Sequence, residues 1–309
     1  MNENIIGIAH QAKLSKKIQE IKIRNDRQIN NIVELLEKIK GAGVSKNEEE
    51  TILKSTLITL ITYYEAYLFE TLSAIYHAFP LKMTGDIEKY SVKDFMKNGS
   101  IMYMIHEEIN KKIQSLFFKG PNDVLNEYFK ITGISLSDKD FIQKLIEFKA
   151  TRDIFIHTEG KVNAKYIDKA VKFARANYGD RLPIDESYIN NVSLSIKEFI
   201  KKIDNLLMEK YSKYTKSKAF KEMWEATHLN EVLSFEEAWT LDIEKDYIHV
   251  TEKAFKWGWS GSEKPVFDFF LNVYGNKDEF DILRIFQRYP YPHKEKLMVM
   301  AWLESPFRF

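Results

Sequence analysis

The sequence predicts an all-α protein, in which a helical bundle with long antiparallel helices is followed by a smaller, mainly helical C-terminal domain. Three observations support this prediction. Apolar residues recur at helical spacing along most of the chain, and glycine and proline are sparse, at 12 and 7 of 309 residues. The first 210 or so residues contain no convincing alternation of apolar and polar residues, the pattern of a half-buried strand. With 44% hydrophobic and 29% charged residues, the chain can form an ordinary globular core.

The composition excludes several kinds of chemistry and of location. The absence of cysteine removes disulfides, thiolate metal sites and cysteine nucleophiles. The N-terminal stretch MNENIIGIAHQAKLSKK lacks the pattern of a signal peptide, and no segment approaches the ~18 apolar residues of a membrane span. We therefore expect a cytoplasmic protein with no membrane association. The last ninety or so residues are acidic by roughly six charges, so an anionic partner should meet the earlier part of the chain.

The helices of the first domain follow from capping and breaking residues. A first helix should run from about residue 13 to 40 and end at the GAG stretch. Ser45 and Glu48 form a capping box, which predicts that a second helix begins there and runs to Phe79, before Pro80. Ser137 is the predicted cap of a later helix, which Gly160 should follow in the left-handed conformation. The remaining helices are expected over residues 101–118, 122–130, 164–176 and 186–211.

Domain boundaries follow from composition. Residues 1–211 are predicted to form the bundle, and the lysine-rich, poorly periodic residues 212–221 are predicted to link it to a C-terminal domain, residues 222–309. That domain contains all five tryptophans. Its aromatic residues predict a compact core rather than a base-stacking platform, because an acidic segment is a poor match for a phosphate backbone.

Charged residues interrupt two apolar helix faces. On the helix that contains FKATRDIFIHTEG, Arg152 follows Phe148 and precedes Phe155 at the 4-3 spacing of a buried stripe. Asp153 lies one turn before His157, close enough to orient its imidazole ring. On the long helix before Pro80, Glu65 is the single carboxylate in an aliphatic stripe. Because an isolated buried charge is costly, we expect Glu65 and Arg152 to form an ion pair between these two helices.

The motif RDIFIH, residues 152–157, resembles the catalytic signature of the HEPN superfamily, helical-bundle ribonucleases of prokaryotic toxin, CRISPR and phage-defence systems. In this signature an arginine, a polar residue and three further residues precede a histidine near the end of a long helix. The stretch LITYYEAYLFETL, residues 60–72, is similar to the earlier long helix of defence-type members. The resemblance covers about residues 10–211, and it does not include the C-terminal domain.

This resemblance implies a metal-independent RNA endonuclease of a toxin or abortive-infection system, without a cofactor. Members pair two copies so that both motifs line one cleft, which implies a homodimer with RNA as its substrate. The catalytic set would be Arg152, His157, Asp153 and Glu65. Arginine suits charge on phosphate oxygens, and histidine suits proton exchange near neutral pH. An antitoxin or regulatory protein is a further expected partner. Some HEPN toxins have a modified tyrosine two residues after the histidine, but here that position is Glu159.

Other patterns lead to weaker or different interpretations. His106 begins HEEIN, which lacks the second histidine of a zinc protease motif, and no metal site is expected. The histidines other than His157 show no ligand spacing. If the chain is a nuclease, a lysine-rich helix near residue 200 is a candidate for contacting the RNA backbone. Its candidate residues are Lys197, Lys201 and Lys202. The rival hypothesis is a non-catalytic helical adaptor in which the charges of the motif are only structural.

Overall fold

The computed structural model describes residues 7–40, 43, 45–83, 101–242, 245–275, 285–287, 289 and 293–307. Most of these residues are helical, and the sheet that they contain has two strands, so the predicted all-α class is confirmed. None of the helices in these ranges combines the length and the apolar character that crossing a bilayer requires.

Thirteen α-helices and two strands lie in the described ranges. In chain order they are α1 (Ile8–Lys40), α2 (Lys46–Ala78), α3 (Ile101–Phe117), α4 (Pro121–Thr132), α5 (Lys139–His157), α6 (Ala164–Ala170), α7 (Glu186–Tyr211), α8 (Lys216–Glu225), α9 (Leu229–Val232), α10 (Phe235–Ala238), β1 (Trp239–Asp242), β2 (Tyr247–Val250), α11 (Glu252–Phe255), α12 (Glu263–Tyr274) and α13 (Lys294–Glu304). Short 3-10 turns follow α2 and α6, at Pro80–Met83 and Val171–Phe173. β1 and β2 pair antiparallel, with Trp239 opposite Val250.

The chain forms two compact units that are not continuous in sequence. We call the first the motif unit, because it contains α5; it consists of Ile18–Leu72 and Ile113–Lys210. The second, the terminal unit, consists of Met1–Lys17, Ser73–Lys112 and Tyr211–Phe309. One boundary lies between Lys210 and Tyr211, close to the end of the predicted bundle at residue 211. The division differs from the prediction in residues 1–17 and 73–112, which were predicted to belong to the bundle but lie in the same unit as the C-terminal part of the chain.

In the motif unit, α1 and α2 run antiparallel and are joined by a connection of a few residues. Asn25 donates a hydrogen bond to the Tyr63 carbonyl at 2.6 Å, and Arg24 pairs with Glu70. The predicted capping box is present at the start of α2, where the Ser45 amide donates to the Glu48 carboxylate at 2.7 Å. The core of this unit consists of fully buried aliphatic and aromatic side chains, including Leu57, Leu60, Leu72, Ile196, Phe199 and Ile203.

The terminal unit has an aromatic core, as the sequence predicts. Trp224 and Trp239 are fully buried with their rings 5.7 Å apart, and Phe220 packs edge-on against Trp239. Ile8 and Ala9 belong to the same core cluster, which explains why α1 begins before the predicted residue 13. Phe220 lies within the predicted linker 212–221, but it is part of α8 and buried. The lysine-rich composition of this segment therefore did not indicate an unstructured linker.

Candidate functional site

α5 places three of the predicted site residues in its last two turns. The helix begins at Lys139, and the side chain of Asp138 accepts a hydrogen bond from the Phe141 amide at 2.9 Å. The predicted cap, Ser137, is thus wrong by one residue, since serine and aspartate are both good caps and only backbone geometry separates them. Arg152 and Asp153 are half-buried, whereas His157, the last residue of the helix, is exposed.

The chain reverses direction directly after His157. The Thr158 amide donates to the Ile154 carbonyl at 3.0 Å, and the Gly160 amide donates to the same carbonyl at 3.2 Å. Gly160 has φ +92°, the left-handed conformation predicted for it, and Glu159 also has a positive φ of 52°. This reversal leads into Asn163, whose side chain caps α6 by accepting from the Tyr166 amide at 2.9 Å.

The predicted ion pair between α5 and α2 is present. Nη2 of Arg152 lies 2.7 Å from Oε2 of Glu65, and the two side chains are only 19% and 20% exposed. Lys149 binds the other oxygen of Glu65, and its side chain is 10% exposed. Nη1 of Arg152 lies 3.1 Å from the Asp153 carboxylate. The Arg152 guanidinium is therefore held between two carboxylates at the surface of the helix pair.

Asp153 and His157 do not form the contact that the sequence predicts. The Asp153 carboxylate lies between Nη1 of Arg152 and Nζ of Lys169, at 3.1 Å and 3.4 Å. In the part of the chain that the structure describes, no hydrogen bond or ion pair connects it to His157. Five side chains instead form a row of alternating charge, which we call the charge row: Lys149, Glu65, Arg152, Asp153 and Lys169. His157 is not part of this row.

An open groove of about 240 Å³ lies on the His157 side of α5. Arg152 does not line it, so one copy of the chain does not bring the guanidinium and the imidazole together in this groove. Lys165 and Lys169, which the sequence did not single out, contribute two cationic groups beside His157. The polar side chains that line the groove are Asp153, His157, Asn163, Lys165, Tyr166 and Lys169.

The buried carboxylate of Glu147 anchors α6 and α7 to α5. Its Oε1 accepts hydrogen bonds from the hydroxyls of Thr151 at 2.6 Å and Tyr166 at 2.9 Å, and from Nε of Arg175 at 3.1 Å. Its Oε2 accepts from the Tyr188 hydroxyl at 3.0 Å. A buried charge with this many donors is fully compensated. We call this group of residues the Glu147 network, and it fixes the elements on either side of the groove.

The two tyrosines of this network are poor proton donors to solvent. Burial, followed by the negative charge of Glu147, raises the pKa of Tyr166. Burial, again followed by Glu147, raises the pKa of Tyr188 well above its usual range. Both hydroxyls therefore stay protonated at neutral pH and serve as hydrogen-bond donors to the carboxylate. This arrangement is structural, and it leaves His157 as the exposed imidazole that lines the groove.

The lysines predicted to contact RNA lie on α7 and outside the lining of the groove. Lys202 pairs with Glu198 at 2.6 Å, and its ammonium lies 4.4 Å from the centre of the Phe141 ring. Lys197 is half-buried and Lys201 is exposed. The structure thus gives Lys202 a local role, and the contribution of Lys197 and Lys201 to binding stays a prediction.

Three histidines that appear scattered in the sequence meet in the terminal unit. Nε2 of His77 lies 3.0 Å from Nδ1 of His106, and the rings of His10 and His77 are 5.2 Å apart. Nδ1 of His77 lies 2.7 Å from the Ser73 carbonyl oxygen. Within the described ranges, no group of three or more histidine, aspartate or glutamate side chains has an arrangement suited to a metal ion.

Comparison of the chain with protein-family models, with curated proteins and with solved structures finds no match.

Proposed function

We propose that this chain is a metal-independent RNA endonuclease of a prokaryotic toxin or phage-defence system, acting through Arg152 and His157 in a site shared by two copies of the chain. The observation that carries the proposal is the position of His157: an exposed imidazole at the end of α5, beside a groove with two lysines. The resemblance of residues 152–157 to the HEPN signature supports the same reaction. A cytoplasmic location fits this substrate.

The reaction needs two proton transfers. The 2′-hydroxyl loses its proton to a base as its oxygen bonds to the neighbouring phosphorus, and the bond from phosphorus to the 5′-oxygen breaks as an acid donates a proton to that oxygen. A neutral imidazole can accept the first proton, and an imidazolium can donate the second. Each chain contributes one His157, so two copies supply both groups. This requirement is the chemical argument for a homodimer.

Arg152 suits the negative charge that develops on the phosphate oxygens. A planar guanidinium can bind two phosphate oxygens at once, which suits it to hold this charge. In the charge row it is held by Glu65 and Asp153, and three cations face two carboxylates, which leaves an excess positive charge. A phosphate that approaches Arg152 would take the place of one of these carboxylates. Glu65, whose pair with Arg152 is the shorter of the two, is the group that keeps the guanidinium positioned.

The alternative is a non-catalytic helical adaptor. It is favoured by the same charge row, because an arginine that pairs with two carboxylates is also what a structural ion pair between helices requires. In that case the exposed His157 would have no chemical role, and its replacement would be silent.

The test is RNA cleavage by the purified full-length protein. Wild type should cut single-stranded RNA in the presence of EDTA and leave 2′,3′-cyclic phosphate ends, because the 2′-oxygen is the nucleophile. His157→Ala and Arg152→Ala should each abolish cleavage, and also the growth defect when the chain is expressed in bacteria. His249→Ala is the matched control, since it removes an exposed histidine from β2 in the terminal unit. Wild-type cleavage by folded His157→Ala protein would reject the proposed site, and absence of cleavage by the wild-type protein would favour the adaptor.

A further inference from the structure

The groove beside His157 is small, and most of the residues that line it have polar side chains. α5 contributes Asp153 and His157 to it, and the segment that leads into and through α6 contributes Asn163, Lys165 and Lys169. Its volume of about 240 Å³ is below the ~300 Å³ at which sites for drug-sized ligands begin. A groove of this size suits a single phosphodiester with its sugar.

The groove has more positive than negative charge. Lys165 is exposed, and its side chain forms no ion pair or hydrogen bond with any residue in the described ranges. Lys169 contacts Asp153 at 3.4 Å, but this carboxylate also binds Arg152 at the shorter distance of 3.1 Å. The charge of Asp153 is therefore shared between two cations, and the ammonium of Lys165 is left uncompensated.

The backbone that carries these lysines is fixed at both ends of α6. At the start, Asn163 caps the helix, and the Tyr166 hydroxyl donates to Glu147 at 2.9 Å. At the end, the side-chain amide of Gln143 on α5 donates to the Lys169 carbonyl. Only the lysine side chains need to become ordered when a ligand enters. Because the backbone is already fixed, its ordering adds no entropic cost to binding.

We propose that this groove binds one phosphodiester of single-stranded RNA, adjacent to the cleaved one, with Lys165 and Lys169 contacting its oxygens. This inference rests on the proposed function, which supplies RNA as the ligand. A lysine ammonium is a compact charge that accepts a phosphate in many orientations, as expected where a strand is positioned but its sequence is not read. The phosphate competes with Asp153 for Lys169, and it meets no competitor at Lys165.

Binding can be separated from cleavage by the choice of RNA. In a fully 2′-O-methylated single-stranded oligonucleotide the nucleophile is blocked, so its affinity for the full-length protein can be measured by fluorescence anisotropy over a range of salt concentrations. For single strands the slope of log affinity against log salt is about −0.7 per phosphate contact. Lys165→Ala and Lys169→Ala should each weaken binding severalfold for all sequences and reduce that slope by about 0.7.

Lys161→Ala is the matched control. Lys161 is exposed, lies just before α6 and does not line the groove, and the substitution changes the net charge by the same amount. Equal losses of affinity in Lys161→Ala and Lys165→Ala would show that only net charge matters and would overturn the inference. Unchanged affinity in Lys165→Ala would also overturn it. If Lys169→Ala fails to fold, Lys165→Ala still decides. Groove binding by a protein that cleaves no unmodified RNA would reject the proposed function alone, and cleavage without any groove effect would reject this inference alone.

Discussion

Replacing Glu147 by glutamine removes one buried charge from the motif unit and keeps the shape of the side chain. Glu147 is 2% exposed and accepts hydrogen bonds from four side chains. After the substitution, one of its two oxygens becomes an amide donor that faces other donors. The guanidinium of Arg175, which lies 3.5 Å from the centre of the Tyr188 ring, is left without its carboxylate.

The expected loss of stability follows from that unpaired guanidinium. Removing one partner of a buried ion pair costs about 3–5 kcal/mol. The Arg175 side chain is 22% exposed and also donates to the Pro183 carbonyl at 2.7 Å, so water and this second acceptor reduce the cost. We therefore expect Glu147→Gln to lower the free energy of unfolding by about 3 kcal/mol. Tyr188→Phe removes one hydrogen bond to the same carboxylate and should cost about 1.5 kcal/mol.

The assay is urea unfolding followed by two signals. Far-UV circular dichroism reports helix in the whole chain, whereas tryptophan fluorescence reports only the terminal unit, which contains all five tryptophans. Glu147→Gln should move the dichroism transition to lower urea. Glu198→Gln removes the carboxylate of an exposed pair with Lys202 and serves as the control, for which we expect no measurable shift. A dichroism transition of Glu147→Gln that coincides with wild type would refute the reasoning that this network stabilises the motif unit.

Three further predictions concern stability and activity. Burial, then the charge of His77, lowers the pKa of His10 from 6.5 to about 4. Between these pH values the unfolded chain binds a proton that the folded chain does not. The free energy of unfolding should therefore fall by about 3 kcal/mol as the pH drops from 6.5 to 4, which tryptophan fluorescence can follow. His10→Asn should flatten this pH dependence. Glu65→Gln should slow single-turnover RNA cleavage about 10- to 100-fold, because it loosens Arg152. Gly160→Ala should cost about 1–2 kcal/mol in urea unfolding, since φ is +92° there.

Each of these predictions has a contradicting outcome. Identical pH profiles for wild type and His10→Asn would show that another group dominates acid destabilisation. Cleavage by Glu65→Gln at the wild-type rate would mean that Arg152 does not depend on this carboxylate. Gly120→Ala is the control for Gly160→Ala, because Gly120 has φ −63° and a Cβ there would meet only the Asp123 side chain, at 3.5 Å. Equal losses of stability in the two glycine variants would show that the positive φ of Gly160 is not the cause of the loss.

The sequence was sufficient for features that depend on local patterns. The capping box at Ser45 and the left-handed Gly160 follow from residue type and position, and the structure contains both. The pair between Glu65 and Arg152 could be predicted because each charge interrupts an apolar stripe, and burial of one such charge demands the other. These predictions needed only helical periodicity and the cost of an isolated charge.

Features that depend on distant segments could not be predicted in the same way. Glu147 looks like an ordinary surface charge in the stretch IEFKA, and its partners Tyr166, Arg175 and Tyr188 come from three later segments. Asp153 has the right spacing to orient His157, but Lys169, on another helix, competes for the same carboxylate. In both cases long-range packing decided which partner a charge would take, and the sequence near that charge contains no record of it.

The tight reversal at Glu159 and Gly160 has a consequence for evolution. Two consecutive residues with positive φ turn the chain back, and the Val162 amide then donates to the Asp180 carbonyl at 2.9 Å. The backbone between His157 and the lysines is therefore fixed in both length and direction. One inserted residue would rotate α6 and turn Lys165 away. Homologues that retain the groove should therefore keep the eight-residue spacing from His157 to Lys165 even where the residues between them differ.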